Sequence, residues 1–140
     1  VMCFGLFRIG DRGFCAFGRS LGKLPQLTYA DLNFHQCGIG TEGMHNLVRS
    51  MSPLAYLSQL SVDFRSCTGE SGLMIDFGHS LGDHPLLRRL NLDFANCHLI
   101  SDIWLQGLGH GLRKLSELAS LQLDLGDNFL VGDAGLRHIC

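Results

Sequence analysis

Basic residues are few in this sequence: 11 lysines and arginines in 140 residues, against 13 acidic ones, for a net charge of -2. That balance offers neither the basic footprint of a nucleic-acid binder nor attraction to an anionic bilayer. Long apolar runs are also lacking. None nears the roughly 18 residues of a membrane span, and Arg8 interrupts the opening VMCFGLFRIG too early for a secretory signal; no direct membrane insertion is expected. The six cysteines, at 3, 15, 37, 67, 97 and 140, contain no C-x-x-C pair, which removes the zinc-ribbon and thioredoxin-like readings. There is no G-x-S-x-G elbow and no H-E-x-x-H, so neither an activated serine nor a zinc-protease pair is supplied. With 46% hydrophobic and 17% charged residues, what remains is one globular domain over residues 1–140.

A period organises what is present. Cys37, Cys67 and Cys97 stand 30 residues apart, and counting from them, and from Phe7 one period earlier, apolar columns fill. Phe14, Met44, Met74 and Trp104 share one column; Phe17, Leu47 and Phe77 another; Leu21, Met51 and Leu81 a third. Those offsets have helical spacing. Further on the rhythm becomes alternation, through Leu32, Val62 and Leu92 and then Phe34, Phe64 and Phe94, which predicts strands. The fourth unit needs one extra residue, placed by this pattern between Trp104 and Leu108, after which Asn128 falls in the cysteine column. Parallel strands are predicted at 2–6, 30–35, 60–65, 90–95 and 121–126, and helices at 11–22, 42–52, 71–82, 102–114 and from 133 onward.

The segments LLRRLNLDFANCHLI and LQLDLGDNFLVGDAGL resemble the leucine-rich repeat signature, where Asn and Cys are the residues tolerated at the column of Cys37, Cys67, Cys97 and Asn128. The long strand-plus-helix unit, with glycine after the turn in CGIGTEG and NFLVGDAG, is similar to the ribonuclease-inhibitor-like subclass over essentially all of the chain. The resemblance implies an α/β solenoid, right-handed and curved, with a parallel sheet on the concave face, helices on the convex face and about four and a half repeats. It also implies, as one alternative, a regulatory inhibitor or GTPase activator acting on a soluble target.

CGIGTEG contains G-x-G-x-x-G, with Asp63 twenty residues beyond Gly43, the spacing of a dinucleotide fingerprint. The equivalent stretches FRIGDRG, CTGESGL and CHLISDI replace the first glycine by Arg8, Thr68 or His98. The glycines therefore read as turn residues. Neither a cofactor nor a metal site is predicted, and the cysteine column reads as small buried side chains suited to a reducing, intracellular compartment, cytoplasm or organelle interior.

Strand residues that alternate with the buried leucines point to the opposite face. They include Asp31, Ser61, Asn91 and Gln122; Asn33, Asp63, Asp93 and Asp124; and His35, Arg65, Ala95 and Gly126. Of these, Asn33, Asp63, Asp93, Asp124, His35 and Arg65 form the candidate partner-binding set on the concave face. Arg19, Arg49, His79 and His110 form a weaker one among the helices. His84 interrupts the Leu24, Leu54, Leu115 column and is expected near the surface at a helix end. Solenoids need polar terminal units; VMCFGLF and GLRHIC are not, so a truncated or uncapped domain is expected. The function expected is non-catalytic: a protein-binding or scaffold module, either a fragment of a longer repeat protein or an accessory subunit. Its partners would be other proteins, a large complex included.

Overall fold

The computed structural model describes residues 2–3, 9–67, 75–98 and 100–139. Strands and helices alternate: β1 (Met2–Cys3), α1 (Gly10–Leu21), β2 (Tyr29–Asn33), α2 (Thr41–Met51), β3 (Gln59–Asp63), α3 (Ile75–Leu81), β4 (Arg89–Asp93), α4 (Asp102–Leu112), β5 (Ser120–Asp124) and α5 (Asp133–Leu136). β2 to β5 make a parallel sheet, and the two-residue β1 adds to its edge, in the order β1-β2-β3-β4-β5. The strand positions expected at 4–6 and the helix positions expected at 71–74, Met74 among them, lie outside the described residues, as do Val1, Phe7 and Cys140.

The repeat period sets the register. Ala30, Leu60, Leu90 and Leu121 are paired neighbours, as are Leu32, Val62, Leu92 and Leu123. On β2, β3 and β4 these positions are buried and their neighbours are not, the period-2 pattern of a sheet covered on one side. On β5, which no described strand follows, Leu121 is 38% exposed.

Strands end at Asn33, Asp63, Asp93 and Asp124, about two residues earlier than the apolar alternation predicts. The cause is local. The Oδ1 of each of these residues accepts the backbone N–H two residues on, at His35, Arg65, Ala95 and Gly126, an Asx turn that competes with the ladder. Gln36, Ser66, Asn96 and Asp127 then take positive φ of 53 to 57° and turn the chain toward the helix. Phe34, Phe64 and Phe94 follow the strands yet stay in the core. Phe64 stacks on Phe34 and Phe94 at ring-centre distances of 5.4 and 5.2 Å, and Phe14, Phe77 and Trp104 meet this column edge-on.

Helices pack through glycine. A Cβ on Gly78 would collide with the backbone of Gly107 and Leu108, and one on Gly111 with the carbonyl oxygen of Gly78, so α3 and α4 touch backbone to backbone. Gly18 lies against the Ser50 side chain, joining α1 to α2. Two helix N-termini are capped from an earlier helix. Gly40 and Gly132 provide no side-chain cap to α2 and α5, but the Asp11 carboxylate accepts the N–H groups of Gly40 and Gly43 at 2.9 and 3.0 Å. Asp102 does the same for Gly132 at 2.8 Å. These carboxylates satisfy orphan donors and sit at the positive end of a helix dipole.

That equivalence relocates the extra residue. α2 and α4 both have 11 residues, and Asp11 and Asp102 play one role, as do Gly40 and Gly132 in receiving it. The insertion therefore lies between Cys97 and Ile100, not between Trp104 and Leu108. Within a helix it would turn every later side chain about 100° off the core face; in a loop it disturbs nothing. Trp104 consequently stands where Gly43 does, and is buried all the same.

His84 is not near the surface. It is 1% exposed and fills the leucine column, with Nδ1 3.3 Å from the Leu54 carbonyl. A neutral ring donates there; burial pushes its pKa below the ordinary 6.5. Because the unfolded chain binds this proton more readily, the stability His84 contributes is present above pH 6.5 and is lost as pH falls through the window beneath it. Urea titrations of the wild type and of His84→Leu from pH 7 to 5 should show a steeper stability loss in the wild type. Parallel curves would contradict this role.

Candidate functional site

The exposed sheet face carries side chains in rows because the strands are in register. Asn33, Asp63, Asp93 and Asp124 are direct neighbours across β2 to β5, about 4.8 Å apart from strand to strand. The row is not a bare line of carboxylates. Besides the Asx bond at each Oδ1, Arg65 lays Nη2 on Asp63 Oδ2 at 2.7 Å and Nε on Asp93 Oδ2 at 3.2 Å. Burial alone would raise the Asp63 carboxyl, but hydrogen bonds from the Arg65 side chain and backbone, with the guanidinium charge, outweigh it and hold it below the usual range. Two carboxylates thus share one guanidinium. Asp124 Oδ2, by contrast, has no partner among the described residues.

His35 completes this end of the face, half-buried, its Nδ1 enclosed without a hydrogen-bond partner among the described residues. At the other end of the strands, Tyr29, Gln59, Ser61, Arg89, Asn91, Ser120 and Gln122 border a shallow groove of about 170 Å³. Tyr29 donates to Asp31 Oδ2 at 3.2 Å, and Asn91 to the Ser61 hydroxyl at 3.5 Å. The sequence columns include Asp31, Ser61, Asn91 and Gln122, but Tyr29 and Arg89 were outside the candidate set. The signal was two residues earlier in each strand, on the same face.

Among the helices, Arg19 and Arg49 are exposed and make no ion pair among the described residues, whereas His79 and His110 bring their rings to 4.7 Å. His45 pairs with Asp76 at 3.2 Å between α2 and α3.

The G-x-G-x-x-G stretch does run from a strand into a helix. Its anion-binding donors are already engaged, because the N–H groups of Gly40 and Gly43 bind Asp11. A Cβ at Gly43 would also strike that carboxylate. Gly38, at φ 64°, serves the turn.

The cysteine column is built into the wall between units. Cys67 Sγ lies 3.3 Å from the Phe34 carbonyl, and Asn128 Nδ2 donates at 2.8 Å to the Phe94 carbonyl in the equivalent bond two units on. Burial pushes the Cys67 thiol up to about 12. Since the thiolate is the nucleophile, brief iodoacetamide treatment of the native protein at pH 8 should label the half-buried Cys15 well before Cys67 in peptide maps, with the difference lost in urea. Equal native labelling would refute this enclosure.

Among the described residues no three His, Cys, Asp or Glu side chains gather as metal ligands, and no helix is long and apolar enough to cross a membrane. No family model matches this sequence, and no curated protein is significantly similar to it.

Proposed function

We propose that the chain is a curved leucine-rich repeat solenoid of the ribonuclease-inhibitor-like type and that it serves as a non-catalytic protein-binding or scaffold module in a reducing intracellular compartment. One observation carries this reading: the sequential parallel sheet holds Asp31, Ser61, Asn91 and Gln122 beside Asn33, Asp63, Asp93 and Asp124 in unbroken register on an exposed face. Such an array suits a broad partner surface better than a small substrate, which is usually enclosed in a deep pocket. Uncommitted oxygens on Asp31 and Asp124 favour a partner with basic side chains. Leu121, Leu136 and Phe129, the last 87% exposed, supply a second, apolar contact surface.

The test begins with gentle extraction from the source, intact mass and identification of co-purifying proteins. A defined partner should be retained by the wild type and lost by the double variant Asp93→Arg with Asp124→Arg, which remains folded by circular dichroism. A folded double variant that keeps the same partner, or a lone monomer of 15.4 kDa, refutes the sheet-face reading. Altered activity of the partner on binding would favour the regulatory alternative.

A further inference from the structure

We propose that His79 and His110 form a two-imidazole site for a borderline divalent transition metal, joining α3 to α4. The two rings lie 4.7 Å apart, centre to centre, with planes at 65°. Imidazoles bound in adjacent positions at about 2.1 Å from one ion place their ring centres about 4.5 to 5.2 Å apart, for angles at the metal from square-planar to tetrahedral. The observed separation falls inside that interval. Neither ring has a hydrogen-bond or ion-pair partner among the described residues, so no protein contact must be broken to bind.

The scaffold makes the pair specific to this place. His79 follows Gly78, and His110 lies between Gly109 and Gly111, where α3 and α4 are in backbone contact. Both histidines leave the helices near the closest approach, with their separation set by packed main chain and not by flexible loops. Both also occupy the last turn of their helices, where the negative end of the dipole favours a bound cation. At the corresponding positions of α1 and α2 stand Arg19 and Arg49, permanently charged and unable to ligate a metal. Among the described residues the site therefore arises between α3 and α4 alone. It supplies two protein ligands, and water would complete the coordination.

Nickel(II) is the suitable probe, because copper(II) would oxidise thiols in a chain with six cysteines. Isothermal titration of the reduced protein at pH 7.5 should give one dominant site. His79→Gln or His110→Gln should weaken it at least about tenfold, while His98→Gln, in an exposed loop, leaves it unchanged. Paramagnetic broadening in amide spectra should centre on the last turns of α3 and α4. Three results would each overturn the proposal: no nickel bound at millimolar concentration, affinity unchanged in folded His79→Gln and His110→Gln proteins, or broadening centred on another histidine.

Discussion

Gly111→Ala is expected to destabilise the protein by about 2 kcal/mol, although the change would strengthen an isolated helix. Alanine gains roughly 1 kcal/mol over glycine in helix propensity. Here the new methyl would collide with the carbonyl oxygen of Gly78, and a backbone carbonyl cannot rotate out of the way as a side-chain tip can. α3 and α4 would have to separate, loosening the contacts of Phe77 and Trp104 with Phe94 beneath them. Overpacking costs typically 1 to 3 kcal/mol and occasionally more; contact between two backbones belongs at the upper end. Urea denaturation of Gly111→Ala against Gly132→Ala makes the comparison direct. At Gly132 an added Cβ meets nothing nearer than 3.6 Å, so its loss should stay near the 1 kcal/mol expected of a cap substitution. If Gly111→Ala were neutral or stabilising, the helices could not be in backbone contact.

Phe64→Ala should cost about 3 to 5 kcal/mol, the range for a fully buried aromatic. Its ring is 0% exposed. It is held between Phe34 and Phe94 and edged by Phe77 at 6.2 Å. Removal leaves a cavity at the centre of the column, with neighbours above and below that cannot close it without shifting two sheet registers. Because the rings touch, the double variant with Phe94→Ala should depart from additivity by about 0.5 kcal/mol or more. Equilibrium unfolding in urea, with the slope compared to confirm two-state behaviour, measures both quantities. A loss below about 1 kcal/mol would mean that the column is not packed as described.

Much of this arrangement could be read in one dimension. A 30-residue period with leucines at fixed offsets allows few outcomes: the units must bury their apolar columns against one another, and Leu60, Val62 and Phe64 could not face water and remain in period. The candidate face was legible for the same reason, because Asp63 and Asp93 stand exactly one period apart and the register follows. What escaped were the uses made of polar side chains. Alternation alone could not show that Asp63 ends its strand by binding the Arg65 N–H, since a carboxylate in an exposed column has the same pattern whether it faces solvent or its own backbone. His84 was placed at the surface on the ordinary preference of histidine, but the leucine column and the Leu54 carbonyl prevailed.

The sequence by itself determined the units, their order, the strand register and the columns that form the core, because burial of apolar surface is enforced by spacing and composition. Only the tertiary structure decided that Asp11 caps the next helix, that Arg65 spans two carboxylates, and that His79 meets His110. Those contacts depend on interhelical distance and side-chain direction at ångström scale, which the glycines at 78 and 111 set through packing and which no period along the chain encodes.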